Sequence, residues 1–373
     1  MKSLNINKSD LKHNINIIKK FAKKDGKDDE GKQLKIIAVV KGNGYGLDLV
    51  QYTKFLIDNG FDFFAVSTIE EAITLRQSGI KQDILMLSST IIEKEMTTLI
   101  ENDIILAIGS KQGAEMAEKV CEKLAKTIRV HLKIDTGFGR YGFLYNNYVE
   151  TVETAQNFKN LKLEGVFSHF SMSFDKKEKY TKLQFDRFIE MIECLKTNKI
   201  ETGMLHVCNS SAFFKYPGMH LNAVRIGSAF LGRIVINNTY GLKKVGNLKS
   251  KVTEIKELPK GQFLGYSNGY KTKNNTKIAI VPIGYADGFN VKSQNDLFRK
   301  IDKLRYLYND IKLFLTKKTI TVNINEENYR ILGKIGMCHI VVDITNSDVK
   351  VGDEVIANIN PIFVQSSIKR EYI

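Results

Sequence analysis

The chain has 373 residues, 43% hydrophobic and 26% charged, an ordinary balance for a globular protein with room for one large domain and a smaller one. Its formal charge of +15 raises nucleic-acid binding, but lysines spread along the whole chain supply most of it, and the densest cluster, KKFAKKDGKDDEGK, is interleaved with acids. That cluster reads as a solvated helix end and loop, so no nucleic-acid partner is expected, and no apolar stretch is long enough to cross a bilayer.

The start, MKSLNINKSDL, lacks the apolar core of a signal peptide. Asn7–Lys24 opens with polar capping candidates and places Leu11, Ile15, Ile18 and Phe21 at helical spacing, which predicts an amphipathic first helix. Next comes Ile36–Gly46, IIAVVKGNGYG. Its apolar run fits a strand buried on both faces, and it ends in one lysine, Lys41, and a glycine-rich turn carrying Tyr45. The spacing G-x-G-x-G, with no acid ending the following strand FFAVS, argues against a dinucleotide-binding turn. From there to about Arg233 the apolar runs IIAVV, FFAVS, DILML, IILAI, TIRVHLKI, LEGVFSHF, MLHVCNS and LNAVRIG alternate with amphipathic patterns such as LVQYTKFLIDNG and KQGAEMAEKVCEKLAK. Eight strands alternating with helices over roughly 230 residues is the pattern of a TIM-type (β/α)8 barrel. Beyond Val235 the text changes to short alternating runs with little helical periodicity: VTEIKEL, QFLGYSNGY, KIAIVPIGYADG, RILGKIG, HIVVDI and DEVIAN. They predict a separate antiparallel β-domain, so the expected domains are 1–235 and 236–373. Cys121, Cys194, Cys208 and Cys338 are scattered without a CxxC pair, which fits a reduced, cytoplasmic protein lacking a disulfide framework or a metal site.

In a barrel the carboxyl ends of the strands converge on one rim. Lys41 ends the first strand, and Lys133, Asp135 and Arg140 surround the end of the fifth in HLKIDTGFGRYGF. His169 ends the sixth, Asn209 and Ser210 the seventh, and Arg225, Gly227 and Ser228 the eighth. The loops after strands seven and eight commonly hold a phosphate, and Ser210, Gly227 and Ser228 are small enough to offer it hydroxyls and backbone N–H groups. A lysine and a phosphate cradle on one rim point to pyridoxal phosphate, with the lysine as its Schiff-base partner. Taken singly, each residue has a plainer role: a core histidine for His169, a surface ion pair for Arg140, a helix cap for Asn209 and Ser210. Their agreement on strand ends selects the functional reading.

The stretch AVVKGNGYG resembles the pyridoxal-phosphate lysine motif of the alanine racemase family. KIDTGFGRYGF, GVFSHF, HVCNSSAFF, AVRIGSAFLG and VPIGYADGF resemble its other motifs, in order, and the match runs from the first helix to the last residues. The resemblance implies a pyridoxal 5'-phosphate-dependent racemase of a small amino acid, alanine by default and serine or another amino acid as the alternative. It also implies a head-to-tail homodimer whose active sites combine the barrel of one subunit with the β-domain of the other. Carried over, Lys41 would hold the cofactor and serve as one catalytic base, and Tyr266 in LGYSNGY would be the opposing base, supplied by the partner. Tyr45, Ser210, Gly227 and Ser228 would bind phosphate, with Asn209 in the same cofactor-binding set. Arg225 would face the pyridine nitrogen, supported by His169. Arg140 would contact the ring hydroxyl and Lys133, a lysine carbamylated in many members, while Tyr285 and the backbone at Met337 would border the substrate carboxylate.

The chain departs from the family pattern in places. KGNGYGLD stands where the family reads KANAYGHG, and the added glycines are expected to loosen the loop. GKIGMCHIVVD keeps Met337 but has Cys338 in place of an acid, and the tyrosine motif reads GYS instead of GYG. Ser366 stands where some members carry a tyrosine that contacts phosphate, which leaves room for a larger or more polar substrate. A non-catalytic pyridoxal-phosphate carrier would need neither the β-domain nor Tyr266, and no general-acid motif of a related barrel decarboxylase is present in the β-domain.

Overall fold

The structure, a computed structural model, describes residues 2–25, 34–292, 298–316 and 319–373. The second half of the basic cluster KKFAKKDGKDDEGK lies outside them. The chain divides into two units, Lys8–Val245, and Met1–Asn7 together with Gly246–Ile373.

In the first unit all eight expected strands form: Lys35–Val39, Phe63–Val66, Asp83–Met86, Leu106–Ile108, Ile128–Asp135, Leu161–Phe167, Met204–His206 and Ala223–Ile226. Each is parallel to its neighbours, and the eighth returns to pair with the first, Val224 opposite Ile36. Strands three and four meet through one bridge, Leu85 to Ile105, with two backbone hydrogen bonds of 2.9 Å beside it. The barrel is therefore nearly closed. Ile37, Val39, Phe63, Ala65, Leu85, Ile105 and Ala223 pack in one buried cluster. Each Ile, Val, Leu or Phe among them, taken fully out of water, contributes about 1.5–3 kcal/mol.

Helices follow the strands as the amphipathic patterns predict, from Leu49–Asp58 to Lys179–Thr197 and the short Ser210–Lys215. The first helix runs Lys8–Asp25 and packs on the turn Ser228–Leu231 after strand eight, where a further barrel helix would otherwise sit. Asn14 holds it there, donating to Phe230 O at 2.8 Å and Lys243 O at 2.7 Å.

The second unit is a nine-stranded sheet. Its order is Glu254–Leu258, Thr276–Val281, Ile340–Asp343, Glu327–Leu332, Thr321–Ile324, Glu354–Asn358, Asn247–Lys251, Ser3–Ile6 and Lys369–Tyr372. Neighbours are antiparallel except the last pair, in which Ser3–Ile6 runs parallel to Lys369–Tyr372. The two compact units divide at Val245/Gly246, and residues 236–245 bond to the barrel unit: Val245 N donates to Leu231 O at 3.0 Å and Tyr240 Oη to Phe214 O at 3.1 Å. One expectation is corrected. The segment read as having little helical periodicity contains a helix, Lys300–Thr316. Among the described residues no helix is long and apolar enough to cross a membrane.

Candidate active site

Lys41 follows the first barrel strand, and the backbone after it turns left-handed over five residues: Gly42 (φ 65°), Asn43 (53°), Gly44 (64°), Tyr45 (54°) and Gly46 (86°). That region costs an L-residue roughly 1–2 kcal/mol, and glycine nothing comparable. The glycines expected to loosen this loop instead match the conformation it adopts. Gly44 N donates to Val40 O, Gly46 N to Gly42 O and Leu49 N to the Asn43 side chain, each at 2.9 Å. Glu71 secures the turn from outside. One of its oxygens accepts from Gly42 N and Asn43 N, and the other from Ser67 N and Thr68 N at the start of the helix Ile69–Gln77, which follows strand two. The Lys41 amine has a pKa below its ordinary value, through burial first and then the charges of Arg140 and Arg225, with Glu71 opposing.

Arg225, on strand eight, is buried, and both of its Nη groups are engaged. Its Nη1 donates to His206 Nδ1 at 2.7 Å and His206 O at 2.8 Å, and its Nη2 to Ser168 O, Val207 O at 3.2 Å and His169 Nδ1 at 3.2 Å. Burial lowers its pKa to about 10, which leaves it a cation at neutral pH. Both imidazole nitrogens facing it must accept. His169 and His206 are neutral, their pKa values held well below the usual range by burial and then by Arg225. His206 therefore carries its proton on Nε2 and donates it to His131 Nδ1 at 2.8 Å. His131 is pushed down to about 3, again by burial and then Arg225.

Asn209 caps the helix Ser210–Lys215, its Oδ1 accepting from Ser211 N and Ala212 N at 3.1 Å each. The Ser210 hydroxyl accepts from Gly227 N at 3.1 Å and Ala229 N at 3.4 Å, which ties the end of strand seven to that of strand eight. A Cβ at Gly227 would lie 2.2 Å from Tyr45 Oη, so the tyrosine reaches this point because no side chain stands there. Burial, then Glu71, pushes the Tyr45 phenol up to about 12, and it stays protonated. The residues named from strands one, six, seven and eight line one cavity of about 290 Å³: Lys41 and Tyr45, His169, Asn209 and Ser210, then Arg225, Gly227 and Ser228.

The strand-five residues stand apart from that lining. Lys133 Nζ donates to Leu87 O at 2.5 Å and lies over the rings of Tyr141 and Phe167, 5.0 and 5.2 Å from their centroids. Burial, then Arg140, Arg225 and Lys41, lower its pKa to about 7. Arg140 is exposed over the Phe138 ring at 4.4 Å and reaches Lys133 and Lys41 through its charge. Burial raises the pKa of Asp135, but backbone N–H groups of Gly137, Phe138, Gly139 and Arg140 at 2.8–3.1 Å bring it below its ordinary value. Asp135 is thus a loop organiser, not a proton donor.

Tyr266, Tyr285 and Met337 belong to the other unit, where three turns meet. Tyr285 N donates to Gly336 O at 3.1 Å and Ala286 N to Met337 O at 3.0 Å. A Cβ at Gly284 would lie 2.0 Å from Met337 O, so these two turns fit only with glycine there. Tyr266 begins the turn of the hairpin Phe263–Leu264 with Tyr270–Lys271, and Lys334 Nζ donates to the neighbouring Ser267 at 3.3 Å. All three side chains are at least half exposed: 68%, 50% and 53%.

Sequence reasoning missed Glu71, His131 and His206. Thr68 and Glu71 do carry a readable capping box, T-x-x-E, but nothing local says that the same carboxylate holds the Lys41 turn. The two histidines lie on barrel strands, and their contact spans 75 residues of sequence.

The alanine racemase N-terminal domain family matches residues 6–234, and the alanine racemase C-terminal domain family matches residues 245–361. An alanine racemase of Methanococcus maripaludis is 35% identical over 295 residues, covering 78% of this chain and 77% of its own length. Alanine racemase 1 of Caldanaerobacter subterraneus subsp. tengcongensis is 32% identical over 352 residues, 93% of this chain and 82% of its own. The solved alanine racemase of Clostridium difficile 630 superposes with a TM-score of 0.80 at 30% identity, covering 99% of this chain and 88% of that one.

Proposed function

The chain belongs to the alanine racemase family and is an amino-acid racemase, and from that premise we propose three finer assignments. The substrate is alanine, the cofactor is pyridoxal 5'-phosphate bound in the 290 Å³ cavity, and the active unit is a head-to-tail homodimer in which Tyr266 of the partner subunit completes the site. The observation that carries this reading is the lysine itself. Lys41, its pKa lowered, shares one cavity with the linked ends of strands seven and eight and with a buried arginine.

The residues present fit the cofactor. Gly227 and Tyr45 leave a small-residue corner beside the Ser210 hydroxyl, suited to a phosphate, and Lys41 supplies the amine. When bound, the cofactor withdraws electrons from the substrate Cα and so acidifies its proton. Racemisation then needs a proton removed at one face and returned at the other. The lowered pKa leaves more of the Lys41 Nζ as free amine near neutral pH, ready to take or give that proton. The phenol oxygen of Tyr266 is at an exposed turn, free to enter another copy's cavity from the opposite side. Arg225 stays charged among fixed acceptors and would meet a ring nitrogen as a donor, disfavouring a proton there and limiting side reactions of a carbanion. Four unpaired cysteines support a cytoplasmic location.

The test is racemisation of L- and D-alanine, read by chiral chromatography, with borohydride treatment and peptide mapping of the cofactor to Lys41. Interconversion lost in Lys41→Ala supports the reading; label on another lysine, or turnover of serine in strong preference to alanine, would displace it.

A further inference from the structure

Between the Tyr285 turn and the strand Thr321–Ile324 lies the helix Lys300–Thr316, 17 residues in which Asp302 alone is buried. Ile301, Leu304, Tyr308, Ile311 and Leu315 recur at alternating spacings of three and four, with Leu307 beside them, and these side chains are 51–72% exposed. An apolar stripe of this spacing is the face a helix covers with a partner.

Sheet topology says where the helix stands. Thr276–Val281, Ile340–Asp343, Glu327–Leu332 and Thr321–Ile324 are successive antiparallel neighbours, so the end of the first and the start of the last share one edge of the sheet. The Tyr285 turn leaves from that edge, Met337 lies in a loop at it, and the helix precedes the strand that enters there. On the barrel unit, Phe138, Phe174 and Val235 line the lysine cavity yet are 39%, 49% and 74% exposed. An apolar rim surrounds the cavity mouth, and an apolar helix accompanies the residues assigned to a second copy's cavity.

We propose that Lys300–Thr316 docks through this stripe onto the Phe138, Phe174 and Val235 rim of a second copy of the chain, forming one wall of that copy's substrate entrance. The inference rests on the head-to-tail reading above and adds to it an element of the interface. Lys300 and Lys312 flank the stripe, so pairing with a second such helix would bring like charges together.

The experiment replaces Leu304 with the photocrosslinking residue p-benzoylphenylalanine in 15N-labelled full-length chain. That chain is exchanged with unlabelled chain in the presence of pyridoxal phosphate, illuminated and mapped. Mixed-isotope crosslinks from the helix to segments around 138–144, 174 or 235 are expected. Crosslinks within one chain, from helix to helix, or none at all overturn the proposal, as does stripe-dependent binding to anionic vesicles. The paired variant Leu304→Asp/Ile311→Asp alters only exposed positions, and the dimer dissociation constant should rise at least tenfold by analytical sedimentation. An unchanged constant also overturns it. Racemisation is read on the same samples, which separates the two readings. Active enzyme without the crosslink loses this inference alone, whereas inactive protein with no label at Lys41 loses the functional one.

Discussion

Arg225 Nη1 stands 2.7 Å from His206 Nδ1, and that contact determines the protonation of a buried row of groups. A guanidinium cannot accept, so His206 must, and its remaining proton goes to His131. His206→Leu would leave an Arg225 N–H and His131 Nδ1 without their partner. Unpaired buried polar groups cost about 1–3 kcal/mol, so the urea midpoint should fall accordingly. His206→Gln, which keeps an acceptor, should recover much of it. A leucine variant with an unaltered midpoint would refute the row as a source of stability.

Gly227→Ala places a methyl 2.2 Å from Tyr45 Oη, so the tyrosine must leave. Overpacking of this kind costs about 1–3 kcal/mol, and the displaced phenol opens the corner assigned to phosphate. The expected result is a lower melting temperature together with weaker retention of pyridoxal phosphate on dialysis. Gly218→Ala, with nothing within 4 Å of the added carbon, is the control and should shift stability by no more than about 0.5 kcal/mol. Equal behaviour of the two variants would count against the corner.

Tyr266→Phe removes one acid–base group and little else, because the side chain is mostly exposed. A fall in kcat of about 10²–10⁴ is expected, the usual worth of a positioned proton carrier. In deuterated water the two enantiomers should part company. Exchange of the α-proton should persist for the one whose proton faces Lys41 and disappear for the other. Persistence for both would rule out the phenol as the second base.

Lys133→Met tests the buried amine by pH. Folding lowers this pKa from 10.5 to about 7, so between those values the unfolded chain binds more protons and wild-type stability rises with pH. Below about 7 the amine is charged in both states and the full penalty, at most about 5 kcal/mol, is present. The methionine variant should therefore be the more stable at pH 6, and its advantage should shrink towards pH 10.5. A constant difference across that range would show that the amine is not desolvated.

The sequence by itself determined the eight barrel strands, the amphipathic helices and the lysine at the end of strand one. Those features are local: an apolar run, a 3.6-residue period and a turn are each written within a dozen residues. Tertiary structure decided what distant residues do for one another. Ser3–Ile6 is too short to announce itself and becomes a strand because Asn247–Lys251 and Lys369–Tyr372 flank it. Glu71 looks like a helix cap until its carboxylate meets Gly42 and Asn43, and His206 like core filling until Arg225 arrives beside it. The three glycines of the lysine turn read as slack until their left-handed backbone shows what they permit. A hydrogen bond is decided by positions in space that chain closure brings together, and no pattern along the chain encodes that proximity.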